Sequence, residues 1–503
     1  MLPKPDHRHP QPDAADPEGN GGPEAHPGGA PWVPVLERTD GPLYLALAAA
    51  IESAIASGEL PPGFRLPPQR WLANALGITA GTVNRGYAIA RERGLVTGEV
   101  GRGTFIREGE RSIATVPPAS PLPVMAEPRL PAPEPLAVRP VDLSCFRSPV
   151  AGLDGLLAPV FAEAAARVAR LPPHRYPPVA GHRPHREAAA RWLRRFGLEV
   201  PADRVMVTMG AQHATFLTLK ALTNPGDAVL TEAVTYSGVK TMAELLGLRL
   251  VGVPMDGEGL DPAALERLAG ETRARLLVTQ PSLHNPTVQR MPAERRQRVA
   301  ATARAFDLTV IEDDTAAAAL ADRPPAIAAL APERSVFIAS PAKCISPALR
   351  VGVLTAAPDL LERIEDTAHL ADLAIPPFAG ELLAVMVEDG TADRVVAAYR
   401  AVMGERYAIA EAALRGQSHS GHPAAFHLWL HLPESWSARD FAAAAREEGI
   451  LVVPADNFTV GDATPRAVRV SVNGNATADE LRRSMETLAR LAGTRRRRLF
   501  TVV

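Results

Sequence analysis

The sequence predicts a multidomain chain. A small N-terminal α+β module, a winged helix-turn-helix, is followed by a large α/β domain that ends in a smaller C-terminal α+β part. Three observations predict it. The 503 residues allow two to four domains at about 100–200 residues each. Two proline-rich stretches without apolar periodicity punctuate the chain: residues 1–30 hold seven Pro and five Gly, and residues 111–140 hold nine Pro and no Gly. From residue 142 onward, apolar strands alternate with amphipathic helices, the pattern of a sheet covered on both faces. The expected division is therefore a disordered tail at 1–30, the small α+β module at 31–108, a semi-rigid linker at 109–141 and a large domain at 142–503, with its smaller part at about 380–503.

Composition narrows the function classes. At 46% hydrophobic and 22% charged, the chain is too apolar for wholesale disorder. The net charge of −2 excludes a chain that is basic throughout, though a small DNA-binding module can hide inside that average. Two cysteines, Cys145 and Cys344, cannot build a disulfide framework or a cysteine-rich zinc site. No apolar run reaches the roughly 18 residues that span a bilayer, and the N-terminus lacks the apolar core of a signal peptide. The expectation is a cytoplasmic protein without membrane or metal.

In the small module, Leu43, Leu47, Ala50, Ile51, Ala54 and Ile55 fall on one helical face, and Gly58 stops that helix. Gln69 to Leu76 forms a short second helix with Trp71, Leu72 and Leu76 inward. Gly77-Ile78 makes a tight turn. Thr79 caps a third helix to about Arg93, with Val83, Tyr87 and Ala90 inward. Leu95-Val-Thr and Thr104-Phe-Ile then flank a glycine-rich hairpin, the wing. The segments Gly63-Phe-Arg-Leu-Pro-Pro-Gln-Arg70, Leu76-Gly-Ile-Thr-Ala-Gly-Thr82-Val-Asn84-Arg85 and Gly101-Arg-Gly-Thr-Phe resemble the winged helix of GntR-type bacterial regulators. The resemblance implies DNA binding as a dimer. It assigns Arg70 to phosphate or base contact, Thr79, Thr82, Asn84 and Arg85 to the major-groove helix, and Arg102 and Gly103 to the wing tip. Ala80 stands where that family usually has arginine. Residues 41–110 carry seven Arg against six acidic residues, which predicts a weak grip by a single module.

In the large domain, Val205–Thr208, Ala228–Thr231, Arg249–Val253, Arg275–Thr279, Leu308–Ile311 and Ser335–Ala339 read as buried parallel strands. Ligands sit at the carboxyl ends of such strands. There stand Gly210-Ala211-Gln212, a glycine turn opening a helix and so an anion site; Tyr236, able to stack on a planar ring; Asn285; the acidic run Glu312-Asp313-Asp314; and Ser340-Pro-Ala-Lys343, with Arg350 seven residues on. Only four of the 54 basic residues are lysines: Lys4, Lys220, Lys240 and Lys343. Lysine can form a Schiff base and arginine cannot. Lys4 lies in the tail, and Lys220 and Lys240 read as surface charges on helices, which leaves Lys343. His182 and His185 read as surface histidines.

A lysine, a carboxylate, an amide, an aromatic ring, an anion pocket and an arginine on one sheet edge suit pyridoxal phosphate. Ser340-Pro-Ala-Lys343-Cys-Ile-Ser-Pro347-Ala-Leu-Arg350-Val-Gly352 and His284-Asn285-Pro286-Thr287 resemble motifs of fold-type I aminotransferases, with Ala342, Ala348 and Val288 as departures. The resemblance implies that Lys343 is the Schiff-base lysine, that Asp313 (or the adjacent Asp314) pairs with the pyridine nitrogen, and that Asn285 bonds the ring hydroxyl. It has Tyr236 stack on the ring, and Ala211, Gln212, Ser340 and Arg350 bind the phosphate. It has Tyr176 reach a partner subunit's phosphate and Arg469 clamp a substrate carboxylate. Thr315 stands where that family commonly has a tyrosine, which predicts weakened transamination. The two halves together resemble the MocR family of bacterial regulators. This implies a homodimer that binds operator DNA and senses pyridoxal phosphate or a small amino compound, with an aminotransferase carrying an incidental winged helix as the alternative.

Overall fold

The computed structural model describes residues 32–36, 42–61, 63–99, 103–106, 140–474 and 476–494. The chain divides into two units, one within residues 1–122 and one within 123–503. Residues 1–30, nearly all of 109–141, and Arg102 of the expected wing tip lie outside the described residues.

The first unit comprises α1 (Leu43–Ala56), β1 (Arg65–Leu66), α2 (Gln69–Leu76), α3 (Ala80–Glu92), β2 (Val96–Glu99) and β3 (Gly103–Ile106). Its antiparallel sheet has the order β1-β3-β2. Gly77 ends α2 at φ 66°, a left-handed conformation that glycine adopts at no steric cost. The Thr79 hydroxyl then accepts from the Thr82 N–H at 3.2 Å and opens α3. Leu47, Ile51, Leu72, Val83 and Tyr87 close the core. Leu43, expected inward, is 39% exposed because it is the first residue of α1. The Tyr87 hydroxyl donates to the Pro67 carbonyl at 2.9 Å, fixing α3 against the loop before α2.

The second unit is built on a seven-stranded sheet: β4 (Val205–Thr208), β5 (Ala228–Glu232), β6 (Arg249–Val253), β7 (Leu276–Thr279), β8 (Thr309–Asp313), β9 (Ser335–Ala339) and β10 (Gly352–Ala356), in the order β4-β10-β9-β8-β7-β5-β6. The six strands expected from sequence are all present, but β6, at the sheet edge, is mostly half-buried rather than buried. The seventh, β10, was not among them; it runs antiparallel to both β9 and β4. Side chains alternate between the two faces of the sheet, as period-2 geometry requires. Met206, Val278, Ile311, Val336 and Ile338 face one layer. Val205, Val207, Phe337 and Ala339 face a second layer, and Leu230, Leu277 and Val310 a third cluster. A smaller sheet follows: β11 (His419–Ser420), β12 (His427–His431), β13 (Val453–Pro454) and β14 (Ala467–Ser471), in the order β11-β12-β14-β13. Near the start of the described part of the unit, Val141–Asp142 pair in parallel with Ile450–Leu451.

β10 can lie beside the end of β4 only because residue 352 has no side chain. A Cβ there would collide with the Gly210 backbone and the Thr208 hydroxyl. Gly352→Ala should therefore cost about 1–3 kcal/mol of stability, read as a lower urea midpoint. An unchanged midpoint would show that the turn at Gly210 yields.

Candidate functional site

The carboxyl ends of β4, β5, β7, β8 and β9 converge on one cavity. Gly210, Ala211, Gln212, Tyr236, Gln280, Asn285, Asp313, Ser340, Lys343, Arg350 and Phe426 are among its lining residues. The eight cofactor residues expected from these strand ends thus share one cavity. Tyr176 and Arg469 do not line it. Tyr176 is 82% exposed. Arg469, on β14, donates from Nη1 to the Asn285 Oδ1 at 2.9 Å and from Nη2 to the Ser144 carbonyl at 2.7 Å.

The anion end is made of backbone. Helix Ala211–Leu222 begins at Gly210, φ 91°, with no side-chain cap, so its first-turn N–H groups are open to a ligand. The Arg350 guanidinium closes over that turn and donates to the Met209 carbonyl at 3.1 Å. His213 Nδ1 accepts from the Met209 N–H, and its Nε2 meets Asp372 at 2.8 Å, bracing the turn from behind. Ser340 lines the cavity, but its hydroxyl donates to the Val351 carbonyl at 2.6 Å and accepts from the Ala342 N–H. In this arrangement it holds the lysine turn rather than offering a proton to an anion.

Buried charge shapes the middle. Glu232 accepts from the Thr279 hydroxyl at 2.6 Å and from the Gln280 N–H at 2.8 Å, and the Gln280 side chain accepts from the Asn285 N–H at 3.0 Å. The buried Arg296 holds the Met291 and Pro281 carbonyls and the Ser282 hydroxyl, with Glu312 3.7 Å away. The adjacent acids separate cleanly. Asp313 lines the cavity, and burial, only partly offset by hydrogen bonds from Thr315, raises its pKa. Asp314 turns away, accepting from the Ser282 hydroxyl at 2.7 Å and pairing with Arg323 at 3.4 Å.

Lys343 has Phe146 and Phe426 as neighbours, with Nζ 5.1 and 5.3 Å from their ring centroids. Burial first, and then the Arg469 charge, push its amine down to about 8. Neither phenylalanine was expected from sequence. Both arrive from distant segments, and no local pattern marks them. Gln280 could have been found, since it directly follows β7.

Two sequence expectations are corrected. Lys240 is not a free surface charge: it is half-buried, and its ammonium donates to the Asp456 and Asn457 carbonyls at 3.2 and 3.3 Å. Those carbonyls end a short helical turn, where a cation is favoured. His185 is 1% exposed and meets Glu381 at 2.9 Å, because it points inward from the helix that carries it. Lys220 is exposed, as expected, and Cys344 is buried.

In the small unit, Arg70, Thr79, Asn84 and Arg85 are exposed and Thr82 is half-buried. The Arg85 guanidinium stacks 4.9 Å over the Tyr44 ring. Asn84 accepts from Gln69 at 3.4 Å, linking α3 to α2. Gly103, φ 125°, lies against the Arg65 side chain. Arg65 is thus a further cation at the base of the wing, one that the sequence reading did not single out.

Comparison with known proteins gives two family matches. The family model for aminotransferase class I and II matches residues 151–488, and that for bacterial regulatory proteins of the gntR family matches residues 43–106. An uncharacterized HTH-type transcriptional regulator, YdeF of Bacillus subtilis, is 28% identical over 92% of this chain and 96% of its own length. The 2-aminoadipate transaminase of Thermus thermophilus is 29% identical over 62% of this chain and 80% of its own. Among solved structures, Thermus thermophilus LysN, an alpha-aminoadipate aminotransferase complexed with N-(5'-phosphopyridoxyl)-L-leucine, aligns with a TM-score of 0.63 at 27% identity, covering 70% of this chain and 92% of that one.

The residues in the cavity fit pyridoxal phosphate: open helix amides and Arg350 for the phosphate, a carboxylate, an amide, an aromatic ring and an amine that is half neutral near pH 8. Only the neutral amine has a lone pair to attack with. Covalent capture of pyridoxal phosphate by the apo-protein should therefore accelerate as pH rises and level off above about 8, well below the ordinary lysine value of about 10.4. Removing the Arg469 charge with Arg469→Leu should move that midpoint upward. A capture rate still climbing at pH 10 in the unsubstituted protein would contradict the assignment.

Proposed function

The chain belongs to the aminotransferase class I and II family, and from that premise, with a gntR-type module at its N-terminus, we propose that it is a pyridoxal-phosphate-dependent, DNA-binding transcriptional regulator. One observation carries the reading: a single chain joins an exposed, Thr79-capped recognition helix to a cavity where Lys343, Asp313, Asn285 and a helix N-terminus meet. Several relatives of this chain are named HTH-type transcriptional regulators. The reading includes a homodimer, in which the exposed Tyr176 serves the partner's site, and action in the cytoplasm where operator DNA is found.

Bound in the cavity, pyridoxal phosphate supplies an aldehyde that primary amines take up reversibly and a ring that withdraws electrons. The chain's own residues hold and tune it. The amides of Ala211 and Gln212, with Arg350, take the phosphate charge. Asp313 holds a proton on the pyridine nitrogen. Asn285, whose Oδ1 is occupied by Arg469, has its amide nitrogen left to donate to the ring hydroxyl. Tyr236 covers the ring face. Lys343 would be the resident amine that holds the cofactor, and Arg469 would take the carboxylate of an entering amino compound. Thr315 offers no phenol to the ring hydroxyl, which favours sensing over fast turnover.

The protein incubated with pyridoxal phosphate should show a visible absorbance band that Lys343→Ala abolishes. On DNA from upstream of its own gene, Arg70→Ala should weaken binding uniformly and reduce the slope of log affinity against log salt by about 1. Adding an amino acid and a keto acid separates the alternatives. A shift in DNA affinity without steady turnover supports the regulator. Steady turnover with unchanged DNA affinity would instead make it an aminotransferase.

A further inference from the structure

Residues 140–148 are where the described chain resumes after Ile106, at the C-terminal end of the stretch that separates the two modules along the sequence. They lie along β14 and the residues that follow it. The carbonyls of Leu143, Ser144, Cys145 and Arg147 accept from Ser471, Arg469, Asn473 and Gly474 respectively. The Val141 and Leu143 N–H groups donate to the Gly449 and Leu451 carbonyls at 2.8 and 2.9 Å. The same segment carries Phe146, 9% exposed, which stacks edge-on against Phe426 at 5.6 Å and has Lys343 Nζ 5.1 Å from its ring.

One of these holds depends on what occupies the cavity. The Ser144 carbonyl is held by Arg469 Nη2, while Arg469 Nε is buried without a partner. The side-on fork of a guanidinium consists of Nε and Nη2. A carboxylate that takes this fork shares Nη2 with Ser144, and a charge-assisted pair outcompetes a neutral carbonyl.

We propose that Ser144–Phe146 is the transmission element: an amino acid whose carboxylate is bound at Arg469 releases this segment from β14, and so loosens the anchor of the linker that leads to the DNA-reading module. The inference rests on the reading of the cavity as a pyridoxal phosphate and amino-acid site. It makes Phe146 a positioning residue and needs no operator or turnover to test.

The probe is the reduced adduct of pyridoxal phosphate with L-alanine, which occupies the cofactor pocket and presents a carboxylate. The control is the matching adduct with ethylamine, which lacks the carboxylate. Hydrogen exchange at the amides of residues 141–146 is followed in the full chain, with thermal shift reporting binding. The alanine adduct should speed exchange about threefold or more over the ethylamine adduct. Phe146→Leu should exchange fast whichever adduct is bound, and Phe146→Tyr, which restores the ring, should recover the dependence. If both adducts bind and exchange is unchanged, or rises equally with both, the transmission element is wrong while the cofactor reading stands. If neither adduct binds, the cofactor reading itself fails and this inference with it.

Discussion

A lysine amine buried at the carboxyl edge of a parallel sheet is the constraint on which this structure depends. Taking an ammonium out of water favours its neutral form, and the nearby guanidinium of Arg469 adds to the effect, so Lys343 sits at about 8. Two phenylalanine rings lie beside it, with Nζ 5.1 and 5.3 Å from their centroids. An arginine could not serve, since its charge persists at any working pH. The rarity of lysine in the chain, four among 54 basic residues, therefore has chemical content at this position. It has content at Lys240 as well, where a compact ammonium reaches two backbone carbonyls at once.

The rest of the cavity is arranged around that amine by buried charge used structurally. Arg296 gathers the carbonyls of the loop that carries Asn285, and Glu232 fixes the start of the same loop. Asp314 is drawn to Arg323, which leaves Asp313 alone on the cavity wall. Removing one partner from such buried pairs is costly, so these residues define the site's shape without touching a ligand. Gly352 belongs to the same scheme, because it lets β10 bring Arg350 over the Gly210 turn.

Much of this was legible in the sequence, for a physical reason. Parallel strands buried on both faces read as continuous apolar runs, and the polar residues that end them are conspicuous. Lys343, Asp313, Asn285 and Tyr236 were found that way. The antiparallel strand β10 was missed because Gly352–Ala356 follows a turn motif rather than a helix and breaks the alternation. Phe146 and Phe426 were missed because no periodicity links residues 280 positions apart; only the fold brings them together. The choice between Asp313 and Asp314 depends on which way each side chain turns at a strand end, which needed Arg323 and Ser282 in place. Lys240 was misread because helical position alone does not reveal a carbonyl cluster arriving from residues 455–457.

The central claim is that the cavity and the DNA-reading module are energetically linked. Linkage is reciprocal: if pyridoxal phosphate changes operator affinity by some factor, operator DNA must change pyridoxal phosphate affinity by the same factor. The direct measurement is the dissociation constant of pyridoxal phosphate, titrated by absorbance with and without DNA from upstream of the protein's own gene. The account predicts a ratio of about 5–150, matched by the ratio of DNA affinities with and without pyridoxal phosphate. Equal constants in both titrations, with DNA and cofactor each bound, would contradict it.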